Sequence, residues 1–189
     1  MRRISAALAA LVLAGAGLGA AATTAAAAAP AAAACPTGWG SGDKGTVGSS
    51  IIPLTDVRAG QHECYDRLVF DVPGGGSEIG HYVGYVDEFH QLASGKQIPV
   101  AGGAILEVRV AAPSYDPHGG GAVYPGRAGQ PLPGVDVSGY TTFRDTRFGA
   151  SFEGETQIGL GVRARLPFRV IQLPDRLVVD VAHSWTSTG

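Results

Sequence analysis

Three short segments alternate apolar and polar side chains with a period of two. Leu68, Phe70 and Val72 alternate with Arg67, Val69 and Asp71, and Leu106, Val108 and Val110 with Ile105, Glu107 and Arg109. Leu177, Val179 and Val181 alternate with Arg176, Val178 and Asp180. Successive side chains of a strand point to opposite faces, so each segment reads as a strand with one buried and one partly polar face. Residues 50–57, 79–89, 151–162 and 168–173 are further strand candidates. Glycine and proline break the chain at short intervals, with turns at 74–76 and 93–97 and a long Gly/Pro-rich loop at 113–134. Helical periodicity is nearly absent after the first residues. Many short strands separated by turn residues predict an all-β fold, an antiparallel β-sandwich.

Two of these strands are nearly the same sequence. Asp66-Arg67-Leu68-Val69-Phe70-Asp71-Val72 and Asp175-Arg176-Leu177-Val178-Val179-Asp180-Val181 agree in six of seven positions. The repeat predicts two related halves. In each copy the arginine and the second aspartate are four residues apart, on the face opposite the apolar triplet. Arg67 with Asp71, and Arg176 with Asp180, are therefore expected on the outer surface of a sheet. There they serve either as cross-strand ion pairs and edge charges or as polar stripes for binding. If they bind, a chain with Arg67→Ala and Arg176→Ala should fold and bind less.

The first 34 residues have a different character. Arg2-Arg3 precedes an apolar run from Ile4 to Ala22 and an Ala-rich tract, the layout of a secretory signal peptide. An uncleaved anchor is the alternative. Ala32 stands three residues before Cys35, where a lipidation motif would place leucine. The remainder, 35–189, is one domain's length, with its core expected at 64–183. Removing Arg2 and Arg3 leaves 12 basic against 16 acidic side chains, a net charge of −4. That balance gives no electrostatic case for nucleic acid. No later apolar run approaches membrane-spanning length. Outside the cytoplasm the pair Cys35 and Cys64 reads as one disulfide, stabilising by about 3 kcal/mol in the chain-entropy model, with free thiols or a metal site as the alternative.

The segment Phe168-Arg169-Val170-Ile171-Gln172-Leu173-Pro174-Asp175-Arg176-Leu177-Val178-Val179-Asp180-Val181 resembles the closing segment of AMIN domains: an aromatic strand, a turn with proline, and an R-[LV]-V-[VI]-D-[LV] strand. Arg67-Leu68-Val69-Phe70-Asp71-Val72 resembles the opening strand of the same family. The chain looks most like the AMIN-like domain of secreted proteins and lipoproteins, over residues 64–183. The resemblance implies a β-sandwich that serves the cell envelope by contacting peptidoglycan. The chain departs from the usual family context in its 113–134 loop and its cysteine pair, and no amidase or secretin segment stands beside the domain in this sequence.

Wall polymers offer sugar faces, hydroxyls and peptide carboxylates. Aromatic plates and arginine forks match those groups. Trp39, Tyr82, Tyr85, Tyr115, Tyr124 and Trp185 are the available plates, each with partial burial as its structural alternative. Tyr124 and Arg127 share the long loop, and Arg163, Arg165 and Arg169 could clamp carboxylates. The candidate binding set is therefore Arg67, Asp71, Tyr85, Asp87, Tyr124, Arg127, Arg163, Arg165, Arg176 and Asp180. No catalytic residue, metal ligand or cofactor is assigned. The histidines His62, His81, His90, His118 and His183 form no H-E-x-x-H pattern. There is no G-x-S-x-G, and Ser41-Gly42-Asp43-Lys44 lies in a glycine-rich loop. Gly159-Leu160-Gly161 opens no helix, so its glycines point to a bulge or close packing. Asp87, Glu88, Glu107, Glu153 and Glu155 are scattered carboxylates, with Glu153 and Glu155 expected on one strand face. The reading is a non-catalytic binding module for peptidoglycan or a wall glycopolymer. A protein–protein adaptor for an envelope protein is second, and a wall hydrolase third.

Overall fold

The computed structural model describes Cys35 and residues 38–185, so the leader expected at 1–34 lies outside the described residues. These residues fall within one compact unit. The described strands are β1 (Lys44–Thr46), β2 (Asp56–Gln61), β3 (Tyr65–Asp71), β4 (His81–Val86), β5 (Ala104–Val110), β6 (Phe143–Phe152), β7 (Glu155–Val162), β8 (Phe168–Leu173) and β9 (Arg176–Ala182). They form one sheet in the order β1-β4-β5-β7-β6 and another in the order β2-β3-β9-β8, all antiparallel. The fold is the all-β sandwich that the alternating pattern predicts.

The apolar triplets meet between the sheets. Leu68, Phe70 and Val72, Leu106, Val108 and Val110, and Leu177, Val179 and Val181 are all wholly buried, with Ile158, Leu160 and Val162 of β7 beside them. Each such side chain contributes roughly 1.5–3 kcal/mol by leaving water.

The repeated heptapeptide has a structural explanation. β3 and β9 are neighbours, and Val69 opposite Val178 marks the centre of their pairing. Arg67 then stands opposite Asp180 and Asp71 opposite Arg176, so each copy supplies the other's counter-charge. Leaving β1 aside, exchanging β2 with β8, β3 with β9, β4 with β6 and β5 with β7 preserves both strand orders. The halves are thus related in space. Along the chain they differ, because the small-sheet hairpin comes first in one half and last in the other.

Several strand boundaries differ from the sequence pattern. Residues 50–55 are not strand; Pro53 has no N–H for a ladder, and β2 begins at Asp56. The candidate strand 151–162 is a hairpin, broken where Glu153 (φ 50°) and Gly154 (φ 83°) take left-handed conformations. β6 escaped the pattern because two register shifts, between Phe143 and Asp145 and between Phe148 and Ala150, interrupt its alternation.

Glycines on the outer face of the large sheet allow a loop to lie on it. Residues 87–103 cross this face with Phe89 and Ile98 buried. A Cβ at Gly159 would stand 2.8 Å from Phe89 Cδ1, and one at Gly149 2.8 Å from Phe89 Cζ. At Gly161 a Cβ would run into the Ala101 carbonyl oxygen. Gly161→Ala is therefore expected to cost about 1–3 kcal/mol as the loop is forced off β7, read as a fall in the thermal midpoint. An unchanged midpoint would contradict the packing.

Candidate functional site

A concavity lies at the edge of the large sheet. One trough of about 570 Å³ is lined by residues 48–51, Ala111, Pro113, Tyr115, Pro117 and residues 153–155. It continues into a second, of about 330 Å³, lined by residues 45–48, His81, Tyr82, Arg109 and Glu155. Gly48 and Glu155 border both. Gly48 and Gly80 touch backbone to backbone, and a Cβ on Gly80 would stand 2.6 Å from the Gly48 oxygen. This contact holds the segment after β1 against the start of β4. Glu153 and Glu155 do not share a strand face as the sequence suggested. They flank the β6–β7 turn, which still brings both to the trough.

Arg109 is the trough's cation. Its Nε lies 3.8 Å from Glu107 Oε1, its Nη1 lies 3.9 Å from Glu155 Oε2, and its Cζ lies 4.5 Å from the centre of the Tyr82 ring. Its Nε is buried with no hydrogen-bond partner. Burial, then the bond to Asp43, raises the Tyr82 hydroxyl pKa, so Tyr82 stays protonated and donates to Asp43 Oδ2 at 3.1 Å. Gln157 Nε2 donates at 2.8 Å to both Glu107 Oε1 and the His90 oxygen, while its Oε1 accepts from Leu92 N at 2.9 Å. This amide ties the trough floor to the loop over the sheet.

A second groove, of about 360 Å³, brings together three residues from the sequence set: Tyr85, Asp87 and Arg165, beside Gly102 and Gly103. The Tyr85 ring is not a free plate. Its hydroxyl accepts from Leu166 N at 2.9 Å and donates to Leu166 O at 2.8 Å, with the Arg165 Cζ 5.0 Å from its centre and Phe168 against its edge. Burial raises its pKa. Arg165 also reaches the Ser41 oxygen at 3.3 Å.

The repeat residues lie elsewhere, on the outer face of the small sheet. Asp180 is 0% exposed and enclosed by two guanidiniums. Arg67 Nε and Nη2 donate to it at 2.7 and 2.9 Å, and Arg169 Nε at 2.8 Å. The hydrogen bond to Asp180 raises the Arg67 pKa further. Arg169 stacks on Trp39 at 4.3 Å and Arg67 on Tyr65 at 5.2 Å, so aromatic rings screen the pair from water. Asp180 therefore has no surface for a ligand. Asp71 accepts from Arg58 at 2.6 and 3.0 Å, with the Arg176 Nε 3.7 Å away.

Tyr124 corrects the expectation of a loop plate. It is 2% exposed, packed on Phe148, with its hydroxyl donating to the Pro133 oxygen at 3.2 Å. The long loop turns inward here because the sandwich end needs Tyr124 and Leu132 to close its core. Arg127 is exposed nearby but has no such plate beside it. Arg163 donates to the His183 oxygen.

Sequence reasoning missed Asp66, Thr142, His81 and Arg109. Thr142 Oγ1 lies 2.9 Å from His183 Nδ1, and His183 Nε2 lies 4.0 Å from Asp66 Oδ1, a hydroxyl–imidazole–carboxylate row. Thr142 is wholly buried, however, and Asp66 Oδ2 is taken by the backbone N–H groups of Thr142 and Phe143 at 2.6 and 3.0 Å. His183 Nε2 contacts the His62 oxygen at 2.9 Å. The row holds the start of β6 against β3. Among the described residues no three His, Cys, Asp or Glu side chains converge as a metal site, and no helix is long and apolar enough to cross a membrane.

This two-sheet sandwich carries its available polar chemistry along open grooves. Residues 52–183 match the model of the AMIN-like domain. The chain belongs to the AMIN-like domain family, whose domains are associated with the cell envelope. No curated protein and no solved structure matches it.

Proposed function

We propose that residues 1–34 export the chain and that the sandwich then binds peptidoglycan or an associated wall glycopolymer. The observation that carries this reading is the continuous trough at the β1 edge, with Tyr115 as a plate, prolines as rigid walls, and serine, glutamate and the Tyr82-backed Arg109 as polar partners. It is open and shallow, as a polymer requires, since a strand must enter from the side. The groove of Tyr85, Asp87 and Arg165 is a secondary contact surface in this reading, as are exposed Arg127 and Arg176. The disulfide fits an oxidising compartment outside the cytoplasm.

The test is co-sedimentation of residues 34–189 with insoluble sacculi, with and without attached wall polymers. Saturable pelleting is expected, and Tyr115→Ala should weaken it about tenfold or more, taking the energy of stacking a flat group on an aromatic side chain as a guide. One observation favours a protein partner as the second reading. Val47 and Ile51, which line the trough, are 103% and 63% exposed, and Phe152, next to Glu153 in the chain, is 43% exposed. Absence of pelleting from every sacculus preparation would leave the adaptor reading in place of the polymer.

A further inference from the structure

Arg109 differs from most of the ion-paired arginines of the domain, Arg176 with its 3.7 Å contact to Asp71 being the exception. Arg58, Arg67, Arg147 and Arg169 meet their carboxylates at 2.6–2.9 Å, as charge-assisted hydrogen bonds do. Arg109 is held 3.8 and 3.9 Å from Glu107 and Glu155, beyond hydrogen-bond reach of either. Glu107 Oε1 already accepts from Gln157, so it has less to offer Arg109. The Arg109 side chain is 33% exposed, and because Nε is buried, that exposure belongs to its other atoms. Glu155 is 42% exposed on the other side of the gap, and the two line the same trough. The Tyr82 ring and the sheet fix the guanidinium, while its hydrogen-bonding capacity goes unused.

A neutral sugar hydroxyl would meet a cation and an anion side by side and match neither fully. A group carrying both charges on one carbon matches both. We propose that the Arg109–Glu155 gap is a binding site for an amino-acid zwitterion. The ligand carboxylate takes N–H donors of Arg109, and its ammonium donates to Glu155, with Glu153 adding negative charge beside the ammonium. This ligand class is the free end of a branched peptide, where a diamino diacid leaves one ammonium and one carboxylate unreacted. The inference rests on the wall-binding reading and deepens it. It assigns recognition to the peptide branch, and to the branch in its uncrosslinked form, because crosslinking through the amine removes the ammonium.

The test uses residues 34–189 and a synthetic tripeptide, blocked at its N-terminus and at its chain-terminal carboxylate, that ends in a 2,6-diamino diacid whose remaining ammonium and carboxylate share one carbon, in three forms: free, acetylated on that amine, and amidated on that carboxylate. Binding is read by calorimetry and by amide shifts at residues 45–48 and 155. The free form is expected to bind about tenfold or more tighter than either blocked form, the worth of a charged hydrogen bond. Arg109→Gln and Glu155→Gln should each lose about as much, while Arg109→Lys keeps part of the affinity as a point charge without the fork. Near-ultraviolet circular dichroism checks that the variants fold. Equal binding of the three forms, no binding of any, or indifference to both Gln variants would overturn the assignment. If the protein pellets with sacculi and Arg109→Gln pellets equally well, the broader reading stands and this one falls. If the wild type neither pellets nor binds the tripeptide, both fall.

Discussion

Asp180→Ala is expected to lower the stability of the domain by about 2–4 kcal/mol. The value sits at or below the usual range for breaking a buried ion pair because its partners are partly solvated. The carboxylate is fully enclosed, and its removal leaves Arg67 and Arg169 without the acceptor that three of their hydrogen bonds share. Those arginines are 25% and 34% exposed, so water replaces part of what is lost. The internal control is Asp71→Ala. Its best partner, Arg58, is 49% exposed, and pairs of that kind contribute about 0–1 kcal/mol. Urea denaturation should show a large shift of midpoint for Asp180→Ala and a small one for Asp71→Ala, at unchanged slope. Similar shifts for the two would mean that the enclosed pair has no special weight.

The same geometry revises the double variant expected from the sequence to fold and bind less. Arg67→Ala removes a donor pair from a buried carboxylate and so acts on stability. Arg176→Ala loosens a 3.7 Å contact at an exposed position and should be close to neutral. A loss of wall binding in the double variant would therefore be uninterpretable without its unfolding curve.

What was legible in the sequence follows from periodicity. The triplets at 68–72, 106–110 and 177–181 alternate without interruption, and every core residue read from them is buried. The Arg and Asp positions were placed on the right face, but their enclosure was not readable. It depends on Trp39, which arrives from the segment before β1, and on Tyr65, two residues before Arg67 on β3, whose rings cover the arginines. The burial of Tyr124 is illegible for a related reason. Apart from Val123 its neighbours are alanine, proline and glycine, a loop composition, whereas its burial comes from Phe148 and the open end of the sandwich. The trough was illegible because its walls come from segments near residues 48, 82, 109, 115 and 155, and no local pattern joins them. Arg109 looked like any outward strand residue. Only the distances to Glu107 and Glu155 separate it from a satisfied ion pair.

Removing the Cys35–Cys64 bond is expected to lower stability by up to about 3 kcal/mol, because it closes a loop of sequence separation 29. The loss should begin locally. The segment after Cys35 has no core residue of its own between 38 and 46, yet it crosses from one sheet to the other. The Gly40 oxygen accepts from Phe168 N at 2.9 Å on the small sheet, and β1 pairs with β4 on the large one. Lys44 Nζ stands 4.0 Å from the Phe168 ring, and Trp39 lies under Arg169. Burial lowers the Lys44 pKa, partly offset by Asp43, which fits an ammonium drawn against the sandwich edge. With Cys35 and Cys64 both replaced by serine, amides of residues 39–46 and their partners on β4 should exchange with solvent before those of β3 and β9, at a cost below that of global unfolding. Such fraying would also unmake the trough, since residues 45–48 form one of its walls. The serine variant should therefore bind sacculi less well at a temperature where its β3–β9 core is still protected. Uniform exchange across all strands would show that the bond stabilises the whole domain at once, and unchanged exchange at 39–46 would show that the crossing segment holds without it.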